Sequence, residues 1–222
     1  MIENFNKHNV ILKMLFAFDA FSAIYVTLLV TAIGVKVQKT TTLFTSIPNI
    51  IIIRVWIGFI VAYLHVDMIW SWWWLVRVPF DVTFCYLIED VYGYCFHRYC
   101  HYNKFLYNNV HKQHHENLAE CFTTAFYIHP AEMIGFYFVG VIAGPLLLSY
   151  LLTSGISWLG LIVWLSAAEF YLFWSHTGYE NPAYPWLPST KFHADHHRYY
   201  ACNYSSAWFD GLMGTLRKDK AV

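Results

Sequence analysis

Charge is what this chain is short of. Only 13% of its 222 residues are Asp, Glu, Lys or Arg, where a soluble domain carries roughly 25%. The 14 basic and 14 acidic side chains cancel, so no cationic surface offers itself to a nucleic-acid partner. Cysteine is sparse and odd in number: Cys85, Cys95, Cys100, Cys121 and Cys202. None is paired as C-x-x-C, and most lie in or near apolar segments, which reads as reduced, buried thiols rather than a disulfide framework. Repeats and low-complexity tracts are absent. The opening MIENFNKHNV carries an acidic residue before a run too long for a signal peptide.

Apolar residues take the place of charge, at 58% of the chain, with aromatics at 20%. Five runs stand out: 11–35, 49–70, 80–100, 125–152 and 156–175. A spanning helix needs about 20 apolar residues. The composition therefore predicts an all-α integral membrane protein of four to five transmembrane helices. Asp19 lies inside the first run, either as an intramembrane carboxylate or near a helix end. Trp70, Trp72, Trp73 and Trp74 form an expected interfacial belt. The chain reads as one domain, with membrane helices over 1–80, a histidine-rich core over 81–216 and a basic tail over 217–222.

Histidine is the other excess. His97 and His101 are four apart and share a helix face. His111, His114 and His115 follow at i, i+3 and i+4, which predicts one face for all three. His193, His196 and His197 repeat that spacing. His129 opens the fourth run, with Pro130 suited to a first helical turn, and His176 closes the fifth. His8 and His65 stand apart, His65 as a packed or interfacial side chain. If the third run ends at His101, the fourth crosses away from His129 and the fifth returns to His176, so ten histidines meet on one side. That side carries Lys36, Lys39, Arg98, Lys104, Lys112, Lys191, Arg198, Arg217, Lys218 and Lys220. The other carries Lys7, Lys13 and Arg77, with Arg54 inside a span. Ten cations against three place the histidines in the cytoplasm.

Ten imidazoles exceed the four to six ligands of one metal and imply a dinuclear site at the cytoplasmic face. Imidazole suits iron, zinc, copper and nickel. Soluble di-iron bundles show Glu-x-x-His pairs, whereas these boxes are almost pure histidine and favour iron handling dioxygen. Zinc fits the ligands but serves hydrolysis, not oxidation. Asp90, Glu132, Glu169, Asp195 and Asn203 are candidates for holding the ligands, as are Glu89 and Glu180, because a metal-bound histidine gives its other N–H to a carboxylate or carbonyl. Asp90 precedes His97 by two turns, and Asp195 points away from its box. Helix capping is the competing role for each carboxylate, and Asn203 with Tyr204 either lines the site or forms a turn. Tyr92, Tyr94, Phe96, Phe170 and Phe173 line a channel or pack in the core and against lipid. Arg98, Lys104, Lys112 and Arg198 serve the inside-positive bias, anionic lipid or an acidic electron carrier.

The series H-R-x-x-H, H-K-x-H-H, H-P-A-E, H-T-G-Y-E, F-H-x-D-H-H and N-Y…F-D-G-L-M-G-T resembles the membrane fatty acid hydroxylase superfamily. The resemblance runs from about Asp90 to Leu216. It is nearest the sterol-modifying branch, the C4-methylsterol oxidases first and the cholesterol 25-hydroxylases next. His129-Pro130-Ala131-Glu132, Ala143-Gly144-Pro145 and His176-Thr177-Gly178-Tyr179-Glu180 draw it to that branch. Departures lie in the shorter 203–210 segment and the compact loop between His176 and His193, where they bear on substrate. The resemblance implies a multi-pass enzyme of the endoplasmic reticulum membrane with two iron ions, whose place zinc can take on purification. The ligands it implies are His97, His101, His111, His114, His115, His193, His196 and His197, with His129 and His176 at further histidine positions of the family. It implies dioxygen as oxidant, NAD(P)H as indirect electron source, cytochrome b5 or a similar carrier as donor, and a sterol or other lipid as substrate, a C4-methyl group first. Side-chain or fatty-acyl hydroxylation and sterol desaturation use the same site. A non-catalytic sterol sensor or metal-binding protein is the remaining class; a transporter would place its ligands near the midplane instead.

Overall fold

The computed structural model describes residues 49, 64, 66–67, 72–117, 122–178 and 189–217. The expected first span with Asp19, most of the 49–70 run, Trp70, His8, His65, Cys121 and Glu180 lie outside the described residues.

Three antiparallel rods position everything else. The first, α1, is one helix from Trp74 to Tyr102. The second is continuous but not uniform: α3 (Pro130–Met133) passes into a π-helical stretch at Ile134–Gly140 and then α4 (Val141–Leu151). The third is α5, Trp158–Ser175. Between the first and second, a short α2 (Lys104–Leu106) leads into a π turn at Tyr107–His111 and a 3-10 turn at His114–Glu116. After α5 come α6 (Thr190–Tyr199) and α7 (Ala207–Leu212). A two-residue parallel bridge pairs Val66 with Ile156 and Asp67 with Ser157.

The rods pack closely because glycine removes side chains where they cross. A Cβ on Gly144 would stand 2.6 Å from the Cys85 Cα, and one on Gly135 would stand 2.3 Å from the Phe96 ring. Cys85, Ile142, Leu148, Ile156, Leu161, Trp164 and Leu165 form the core at this crossing. The Trp164 indole donates to the Val141 carbonyl at 2.8 Å. At the end away from the histidines, Asp81 is fully buried. It accepts from Arg77 Nε at 2.7 Å, Ser157 N at 2.9 Å and Ser157 Oγ at 2.6 Å. The same Ser157 hydroxyl accepts from Gly160 N and caps α5, so one carboxylate ties the start of α1 to the start of α5.

Two stretches among the described residues, Pro130–Leu151 and Trp158–Ser175, are long and apolar enough to cross a membrane. Fewer than four in ten residues of the most apolar window of either are buried inside the protein. Their outward surfaces are thus apolar and suited to lipid. α1, which contains the expected 80–100 run, is not among them, because it carries Arg77, Asp81, Glu89 and Asp90. Asp81 and Asp90 are turned inward and buried. Of the expected tryptophan belt, Trp72 and Trp73 are exposed. Trp74 instead is buried edge-on against Trp158, with ring centroids 5.2 Å apart.

Candidate metal centre

Asn103 ends α1 by leaving helical backbone geometry, and its side chain caps α2 by accepting from Phe105 N and Leu106 N. The turn it starts carries the first histidine triple back over the end of α1. Nine of the ten expected histidines then converge in two groups. One holds His97, His101, His111, His115 and His196; the other holds His114, His176, His193 and His197. Within each, the nitrogen atoms lie within 4.8 Å of one another.

The grouping corrects the expectation that each triple acts from one face. His111 and His115 join the α1 pair, while His114 turns to the other group. His193 and His197 stay together, while His196 crosses over. The cause in the first triple is backbone: a π turn delivers His111 and a 3-10 turn delivers His114 and His115, so the regular α-helical stripe does not apply. In the second triple the backbone is a regular α-helix; His193 and His197 lie one turn apart on one face, while the consecutive His196 and His197 diverge by about 100° around the axis.

His129 is not brought in. Its Nδ1 accepts from Ala131 N at 3.1 Å and caps α3. The residue before a first-turn proline sits where a capping side chain is needed. Asp90 is one layer further from the centre than its spacing predicts. It accepts from Ser206 Oγ at 2.6 Å and from Ser205 Oγ, not from an imidazole. Asn203 forms the turn: it has a positive φ of 56°, donates to the Phe192 carbonyl and accepts from Arg217 N. Asp195 points outward to Lys191 Nζ at 2.5 Å. Glu169 is half-buried on α5. Arg98 is engaged with the Tyr94 hydroxyl at 2.7 Å. The described cysteines are free.

Glu132 does meet a ligand candidate, accepting from His111 Nδ1 at 2.6 Å with both groups buried. Four more histidines are held by main-chain carbonyls: His97 Nδ1 by Tyr204 at 2.6 Å, His196 by Cys202 at 2.7 Å, His176 by Leu172 at 2.8 Å and His197 by Asn117 at 3.0 Å. These supports were not legible in the sequence, since a carbonyl belongs to every residue. Behind the Tyr204 carbonyl stands a fully buried Asp210, which accepts from Tyr204 N, Ser205 N and Thr215 Oγ1. It is the Asp of the F-D-G-L-M-G-T stretch, and its partners, five and six residues before it and five after, fold that stretch into a tight loop.

An Nδ1–H committed to an oxygen leaves Nε2 as a lone pair. In His97, His111, His176, His196 and His197 that lone pair faces the other ring nitrogens of its group. His111 Nε2 lies 2.8 Å from His101 Nε2 and 2.9 Å from His115 Nε2; His176 Nε2 lies 2.9 Å from His193 Nε2 and 3.4 Å from His114 Nε2. His97 Nε2 is buried with no hydrogen-bond partner. The Nδ1 atoms of His114 and His115 have no hydrogen-bond partner, so an Nε2–H on either ring satisfies one neighbour at a time, whereas a cation at the centre of each group accepts all the lone pairs together. Metal–nitrogen bonds of about 2.1 Å place neighbouring ligand atoms about 3.0–3.4 Å apart, close to the separations seen. Burial, then repulsion from neighbouring imidazoles, holds His111, His114, His115, His193 and His196 well below the usual histidine range. Burial takes His176 down to about 4 and His197 to about 3. The donor set is therefore neutral at pH 7, as metal ligation requires.

Residues 82–215 match the fatty acid hydroxylase family, a stretch that covers more than half of the chain and all nine clustered histidines. The chain belongs to that family. Among curated relatives, it is 35% identical over 150 residues to a methylsterol monooxygenase of Aspergillus fumigatus, covering 64% of this chain and 48% of that one. It is 30% identical over 151 residues to a C-4 methylsterol oxidase of Schizosaccharomyces pombe, covering 64% and 48%. A very-long-chain aldehyde decarbonylase of Oryza sativa is 35% identical over 165 residues, covering 67% and 57%. The chain thus spans about half the length of the curated relatives it matches. No solved structure matches it.

Proposed function

We propose that this fatty acid hydroxylase family member is a membrane di-iron oxygenase that oxidises an unactivated C–H of a sterol, a C4-methyl group first. Dioxygen is the oxidant, and electrons come from NAD(P)H through cytochrome b5 or a similar carrier. The observation that carries the reading is the pair of interleaved histidine groups with their ring nitrogens converging. His97, His101, His111, His115 and His196 hold one ion, and His114, His176, His193 and His197 the other. Similarity to relatives named methylsterol monooxygenase and C-4 methylsterol oxidase supports the sterol substrate.

Bound iron supplies the redox chemistry that activates dioxygen. The chain's own residues hold the ligands ready for it. The carbonyls of Asn117, Leu172, Cys202 and Tyr204 fix ring tautomer and orientation, and the Glu132 carboxylate makes His111 a stronger donor. Burial keeps water from the reacting atoms. Phe136 stands edge-on to His97 with ring centroids 5.5 Å apart and packs on Phe96 at 6.1 Å, an apolar wall suited to a hydrocarbon substrate. Four to five spans, a cytoplasmic histidine face and the endoplasmic reticulum complete the reading.

The test is turnover in membranes with NADH, a cytochrome b5 reductase system, labelled dioxygen and a panel of 4-methylsterols, cholesterol and acyl lipids, with His114→Ala as control. Label in a 4-methylsterol product, lost in the variant, is expected. Label in another lipid moves the substrate to side-chain or acyl hydroxylation, and an unlabelled double bond makes the protein a desaturase. No histidine-dependent product from iron-loaded protein overturns the oxygenase reading in favour of a sensor.

A further inference from the structure

The C-terminal segment is polar by composition, yet α7 turns large apolar side chains outward. Leu212 is 72% exposed, Trp208 47% and Met213 44%, while Asp210 on its inner side is completely buried. The segment does not extend beyond the rods but lies back along α1. Phe209 packs edge-on to Tyr94, with centroids 5.1 Å apart. Ser205 and Ser206 donate to Asp90. The Trp208 indole donates to the Tyr86 hydroxyl at 3.0 Å.

Those contacts set its depth. The exposed indoles of Trp72 and Trp73 mark the far end of α1. The twenty helical steps from Trp74 to Tyr94 rise about 30 Å, the thickness of the hydrocarbon layer. Tyr86 is only about 18 Å along that rise, and any tilt of α1 brings more of it inside. Leu87 and Val91, which flank the α7 contact stripe on α1, are themselves exposed and apolar. The outer face of α7 thus continues the apolar surface of α1, and the Trp208 indole N–H on it is already satisfied by Tyr86.

We propose that α7 with Met213 is immersed in the bilayer beside α1, and that lipid covers Trp208, Leu212 and Met213. This rests on the reading that the rods cross the membrane. It places the Asp210 loop, whose carbonyls hold His97 and His196, at the lipid boundary rather than in the cytoplasm.

The test attaches a nitroxide to Leu212→Cys in full-length protein with Cys95→Ser and Cys121→Ser, reconstituted in phosphatidylcholine vesicles. Leu146→Cys, on the outward face of α4, is the reference, and Met213→Cys replaces Leu212→Cys should that variant fail to fold. Oxygen, which concentrates in lipid, should relax the label at 212 more than a water-soluble nickel chelate does, as at 146. Greater relaxation by nickel at 212 with oxygen dominant at 146 overturns the proposal and leaves the rods in the membrane. Nickel dominance at both sites overturns the proposal together with the membrane reading. Spin–spin broadening at 212 that vanishes on dilution with unlabelled protein means that a second copy covers the face, which also overturns it.

Discussion

Glu132 does for His111 what main-chain carbonyls do for four other histidines, but with a side-chain carboxyl oxygen. Glu132→Gln keeps the shape but replaces the carboxyl group that supports His111 with a weaker acceptor, so metal retention should fall about ten- to hundredfold, measured as the rate of iron loss to a chelator. His129 gives the opposite prediction. Because its ring caps α3, His129→Ala should keep its full metal content and lose about 1 kcal/mol of stability, read as a lowered melting temperature. The clustered histidines also make the metal-free protein acid-sensitive. Their folded pKa values lie below the unfolded value of about 6.5, with His176 at about 4 and His197 at about 3. Below pH 6.5 the unfolded chain takes up protons that the folded one refuses, so stability falls as pH drops from about 6.5 toward 3. Denaturant midpoints of the metal-free protein at pH 7.5 and 5.5 check this, the lower midpoint being expected at pH 5.5.

At the scale of elements, the rods meet where Gly144 lets α4 approach the Cα of Cys85. Here the obstructing atom is backbone and cannot rotate away. Gly144→Ala should therefore cost about 1–3 kcal/mol, seen in thermal unfolding, while iron content at low temperature stays normal because the crossing lies far from the histidines. The rods themselves were legible as apolar runs bounded by His101, His129 and His176, which carry the ends of α1 and α5 and the start of α3. The division of the histidines between the two groups was not. Spacing of i, i+3 and i+4 describes a regular helix, and the first triple sits on a π turn joined to a 3-10 turn. Asp90 shares a helical face with His97 as its spacing implies, yet Ser205 and Ser206, 115 and 116 residues away, claim its oxygens. A contact of that kind is made by chain reversal and leaves no local signal.

At the scale of the whole molecule, the cations separate the two ends more sharply than a count suggests. Among the described residues, Arg98, Lys104, Lys112, Lys191, Arg198 and Arg217 belong to the histidine end, and Arg77 belongs to the other. Arg77 is bonded to a buried carboxylate, Asp81, with its remaining nitrogens on Ser154 Oγ and the Gly155 carbonyl. Its charge is thus compensated within the protein and weighs little in setting orientation. The far end presents exposed Trp72, Trp73 and Tyr150 instead, side chains that settle at an interface without choosing a side. Orientation then rests on the histidine end, which should face the cytoplasm. In sealed, cytoplasm-side-out microsomes with Cys95→Ser and Cys121→Ser, a membrane-impermeant maleimide should label Lys112→Cys at once and Trp72→Cys only after detergent. The reverse order would put the histidines in the lumen, out of reach of a cytoplasmic electron carrier, and would break the proposed electron supply even if the metal centre were intact.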